Sequence, residues 1–82
     1  MINQFVSMNI IDSLKEQTLL MTNGDFDRQS YLKLFDLIKN TLGPDSAAVF
    51  RDTVEGENDQ FWINEEDYGY MWKRMLKVSE RK

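Results

Sequence analysis

The sequence predicts an all-α fold, a small four-helix domain built as two helix-turn-helix halves. Three observations predict it. Apolar residues recur at helical spacing along most of the chain. Breakers divide that pattern at Asn23-Gly24, at Gly43-Pro44 and over the polar run Glu55-Gly56-Glu57-Asn58-Asp59-Gln60. The stretch from Phe26 to Ile38 also has an echo from Ile63 to Met75. In that overlay Phe26 falls on Ile63, Asp27 on Asn64, Ser30 on Asp67 and Tyr31 on Tyr68. Leu34 then falls on Met71, Phe35 on Trp72 and Ile38 on Met75.

A first helix is expected from about Ile2 to Met21, where Val6, Ile10, Leu14 and Met21 form a stripe with Ile11 beside it. Phe5, Met8 and Leu19 lie off the stripe, so the helix is apolar on more than one face. That favours burial, because a short chain needs most of its large apolar residues for its core. Gly24 suits the end of this helix, and Asp25 or Asp27 can cap the next one. The second helix spans Asp27 to Leu42, with Tyr31, Leu34, Phe35, Ile38 and Leu42 on one face. Gly43 ends it and Pro44 prevents its continuation.

A short third helix follows from Asp45 or Ser46 to Thr53, with those two residues as caps and Ala47, Phe50 and Val54 on one face. The run from Glu55 to Gln60 reads as a polar, mobile loop. Phe61-Trp62-Ile63 is too short for a helix and reads as a brief extended segment. Asn64 caps the last helix, and Glu65, Glu66 and Asp67 fill its first turn. Tyr68, Met71, Trp72, Met75 and Val78 make its buried stripe. Gly69 weakens this helix and allows a close approach of another backbone.

Length and composition bound the function. At 82 residues the chain is a single domain, residues 1–82. It has no Cys and no His, which removes thiolate chemistry, the commonest metal ligand and the usual general base. No apolar run approaches the ~20 residues of a membrane span. There is no secretory signal pattern, so a soluble, cytoplasmic protein is expected. The net charge of -4 argues against direct nucleic-acid binding. Seven acids from Asp52 to Asp67 occur without a base, and Lys73, Arg74, Lys77, Arg81 and Lys82 follow. Acids at the start of a helix and bases at its end complement the helix dipole.

The echoed halves share a pattern: an apolar residue, a cap, then an aromatic in the second turn. This resembles the exit half of an EF-hand, and the resemblance implies two units paired through their loops, with Phe26 beside Ile63. Calcium binding is not expected. With Gly24 at the sixth loop position the twelfth is Ser30, which has no carboxylate, and Leu19 and Met21 open the loop. In the second half Gly56 opens the loop and Phe61 stands where Gly is needed. No cofactor is expected either.

No nucleotide-binding, nucleophile-elbow or zinc-protease motif occurs, and adjacent Glu65 and Glu66 do not face one another on a helix. A non-enzymatic regulator acting by protein binding is expected. The five Met residues suit an adaptable surface. Met71, Trp72 and Met75 fit either the core or a groove for an amphipathic partner helix. Phe61 and Trp62 fit a binding anchor for a basic partner, with Glu55, Glu57 and Asp59 as a charged rim. The alternative is an acidic decoy that occupies a nucleic-acid-binding protein.

The length, the acidic character and the segment from Asp12 to Asn40 together resemble the small regulatory proteins of T-even bacteriophages, nearest the cytoplasmic antiholins of lysis inhibition. That resemblance implies binding to the cytoplasmic N-terminal segment of a holin, which delays membrane permeabilisation.

Overall fold

The structure, a computed structural model, describes residues 2–24 and 26–79, with the side chains of its first helix from Ile10 onward. The fold is mainly α, with four helices and a small three-stranded sheet in the order α1 (Ile2–Leu20), β1 (Phe26–Asp27), α2 (Arg28–Leu42), α3 (Pro44–Thr53), β2 (Glu55–Glu57), β3 (Gln60–Trp62) and α4 (Glu65–Ser79). The core is Leu14, Met21, Leu34, Ile38, Ala47, Phe50, Ile63, Met71, Trp72 and Met75. It draws on every helix. Tyr31 and Tyr68, the matched aromatics of the echo, are both half-buried against it.

Local chemistry sets the element boundaries. Asp27 caps α2, its carboxylate accepting the Ser30 backbone N–H at 2.8 Å. That bond, followed by one from the Ser30 hydroxyl, holds the Asp27 carboxyl below its ordinary range. At the far end Gly43 takes φ 107°, a conformation that a side chain disfavours, and its N–H closes onto the Lys39 carbonyl at 3.0 Å. Pro44 then opens α3 directly. Asn64 starts α4, accepting the Glu66 N–H on its side chain at 3.0 Å.

Several expectations require correction. The run from Glu55 to Gln60 is not a loop but a hairpin. Asn58 and Asp59 take φ 56° and 64°, which is the twist a two-residue turn needs to match its strands. The β1–β3 pairing joins the two halves, but its register sets Phe26 opposite Phe61 rather than Ile63. Ile63 instead donates its N–H to the Met21 carbonyl at 3.2 Å.

Gly24 does not end α1 in a left-handed turn. The helix tightens through Met21, Thr22 and Asn23, each bonded to the carbonyl three residues back. Ser46 does not cap α3; it is buried and donates to the Met75 carbonyl of α4 at 2.6 Å. In α1 the stripe holds at Leu14 and Met21, but Ile10 is 40% exposed and Leu19 47% exposed. The expectations for the side chains of Phe5, Val6 and Met8 fall outside the described residues, as do those for Asp25, Arg81 and Lys82.

Candidate functional site

The β2–β3 hairpin sorts the sequence-predicted residues by face. Side chains alternate along a strand, and directly opposed partners share a face. Gly56 opposes Phe61, and Phe61 opposes Phe26 across the other ladder. This row turns inward. Phe61 stacks on Tyr31 with ring centroids 4.8 Å apart and planes 7° apart. Tyr31 in turn stacks on buried Phe50 at 5.6 Å. Burial pushes the Tyr31 phenol above its usual pKa, Arg51 pulls it back and Asp52 adds to the rise.

The other row turns outward. Glu55 opposes Trp62, and Glu57 opposes Gln60, which opposes Asp27. Trp62 is half-buried and does not belong to the side chains packed on the core among the described residues. Glu55 and Glu57 are exposed beside it. Strand β2 is an edge strand, since the sheet order is β1-β3-β2. The outward face therefore carries one large aromatic, the three carboxylates of Glu55, Glu57 and Asp27, and an edge strand.

The remaining predicted site residues separate from this face. Met71, Trp72 and Met75 are 1%, 4% and 0% exposed, so all three belong to the core, and of them Trp72 also borders a groove between α1 and α4. Trp72 is held by its indole N–H, which donates to the buried Thr18 hydroxyl at 3.0 Å. Thr18 passes its own proton to the Leu14 carbonyl at 2.8 Å. Asp59 sits on the turn, and its carboxylate accepts from Arg28 Nε at 3.1 Å. Arg28 also lies over the Phe61 ring, 5.9 Å from its centroid. Asp52 is likewise paired, with Arg51 at 3.2 Å. Both ion pairs are largely exposed and hold position more than they stabilise.

A second surface escaped the sequence reading. Between α1 and α4 lies an open groove of about 330 Å³ lined by Lys15, Tyr68, Gly69, Trp72, Lys73 and Leu76. It shares Lys73 with a neighbouring concavity of about 260 Å³ lined by Tyr70, Lys73, Arg74 and Lys77. The Lys15 ammonium lies over the Trp72 ring, 5.9 Å from its centroid. Tyr68 closes one wall by donating its hydroxyl proton to the Lys15 carbonyl at 2.6 Å. Lys15 and Lys73 lie almost 60 positions apart in the chain, so only the packing of α1 on α4 reveals the groove.

Among the described residues no group of three or more acids is gathered to hold a metal ion. No helix described is long and apolar enough to cross a membrane. No family model matches the chain, and no curated protein or solved structure matches it.

Proposed function

We propose that this chain is a non-enzymatic regulator that inhibits another protein by binding it, and that the outward hairpin face is where it docks. One observation carries the reading. Trp62 is turned away from the core with Glu55 and Glu57 on its face, although its neighbour Phe61 is turned inward. A half-buried indole facing away from the core and flanked by charge is the usual composition of an interface anchor. The two carboxylates select a basic partner, and the open edge of β2 offers main-chain bonds to an extended or amphipathic segment. The resemblance to T-even antiholins names the first partner to test, the cytoplasmic N-terminal segment of a holin. Capture of that segment would delay permeabilisation.

The acidic-decoy reading has less support. A phosphate mimic needs free, regularly spaced carboxylates, and Asp52 and Asp59 are already paired with arginines.

The experiment is a calorimetric titration of the dilute chain with a synthetic peptide of that holin segment. Saturable binding is expected, abolished by Trp62→Ala and weakened by Glu55→Lys with Glu57→Lys. Binding that ignores all three substitutions would move the site elsewhere, and no binding would remove this partner.

A further inference from the structure

The α1–α4 groove contains a residue that the fold does not explain. Gly69 lies inside α4, where glycine costs a helix stability relative to alanine. Such a glycine normally admits a close neighbour, yet a Cβ built at Gly69 meets nothing within 4 Å. Among the described residues the missing side chain therefore serves no packing. It keeps the floor of the groove open beside Trp72, with Lys15 and Lys73 as walls. Arg74 and Lys77 extend the positive charge into the adjoining concavity. A groove that is apolar below and cationic at its rim fits a ligand with an aromatic anchor flanked by carboxylates.

The outward hairpin face has that chemistry: Trp62 beside Glu55 and Glu57, with no basic residue in its row. A molecule cannot place its own hairpin there. Phe61 stacked on Tyr31 and buried Ile63 hold the hairpin against the core, and the groove lies between α1 and α4.

We propose that the groove receives the hairpin of a second copy of this chain, with Trp62 over Gly69 and with Glu55 and Glu57 against the lysines. The inference rests on the reading that the outward hairpin face is a docking surface, and it adds what occupies that surface when no partner is present. Because the two contacting surfaces differ, the contact is head-to-tail and either closes into a ring or extends. A partner that takes Trp62 would then compete with self-association.

Sedimentation of the full chain tests this without any partner. The weight-average mass should rise with concentration at low salt and fall with added salt, since the rim is electrostatic. Gly69→Leu fills open space and should hold the chain at its single-copy mass. Glu55→Lys with Glu57→Lys makes both surfaces basic, and Lys73→Glu with Lys77→Glu cancels the positive charge of the groove while the hairpin face stays acidic. Each variant alone should stay monomeric, and an equal mixture should associate again, which also shows that both fold. A wild-type chain that is monomeric up to its solubility limit overturns the proposal. So does association that survives Gly69→Leu, or a mixture that stays monomeric. Peptide binding in the dilute titration does not depend on this contact, so its persistence would confine the failure to self-association.

Discussion

Tyr31 and Phe61 stack face to face at 4.8 Å, and this contact joins α2 of the first half to the hairpin of the second. The ring of Phe61 also covers Gly56, whose missing Cβ would stand 2.6 Å from two of its carbons. With Tyr31 behind it, the ring cannot retreat. Gly56→Ala should therefore destabilise the chain by about 1–3 kcal/mol, the usual cost of overpacking. Urea unfolding followed by circular dichroism would measure it. A neutral result would mean that the ring swings aside freely.

Neighbouring aromatics should behave in opposite ways. Phe61→Ala removes a packed ring and should lower the unfolding midpoint. Trp62→Ala should leave stability within about 0.5 kcal/mol, as surface substitutions do, while ending partner binding. Equal loss of stability in both variants would place Trp62 in the core.

Thr18 and Trp72 should be coupled. Thr18→Val keeps the shape of the side chain but leaves the indole N–H buried without an acceptor. A loss of about 1–3 kcal/mol is expected. In the Trp72→Phe background the same Thr18→Val change should cost much less, because no donor is then left unsatisfied. A double-mutant cycle by thermal unfolding gives the difference.

Gly69→Ala should stabilise the chain by about 1 kcal/mol, the helix-interior difference between the two residues. For a domain of this size that corresponds to a rise in Tm of roughly 4–8 °C. Calorimetry would detect it. A fall in Tm would show a steric constraint at a position that has open space around it.

The Asp27 cap gives a signed pH dependence. Its carboxyl is held below the unfolded value by the Ser30 N–H and hydroxyl. The cap therefore contributes fully above the unfolded pKa, and its contribution is lost as pH falls through the depressed folded value. Asp27→Asn keeps an acceptor without a titrating group. The acid limb of the stability curve should then flatten, as read by thermal melts at stepped pH. An unchanged limb would assign that loss to other carboxylates.

The helices were legible because their signals are local. Asp27, Gly43, Pro44 and Asn64 mark boundaries by their own backbone chemistry, and the stripes of α2 and α4 repeat at a single period. The hairpin was missed because its turn is Asn58-Asp59, with no glycine at either position to advertise positive φ. The strand register was missed for a related reason. The overlay matched helix to helix, whereas the pairing is decided by which aromatic reaches Tyr31. The roles of Phe61 and Trp62 depend on one step of alternation, and adjacent aromatics in an apolar run do not reveal their faces. Met71, Trp72 and Met75 read as the buried stripe of α4, with a partner groove as the other reading, and the structure places all three in the core. Ser46 reads as a cap in sequence, yet its hydroxyl serves a carbonyl 29 positions away.

Gly43 is the whole connection between α2 and α3. The φ and ψ of this one residue therefore set how the halves are angled, and Ser46 bonded to Met75 and Tyr31 on Phe61 brace that elbow from either side. Under the proposed function, a chain braced in this way would act by occupancy, its docking face either filled or free.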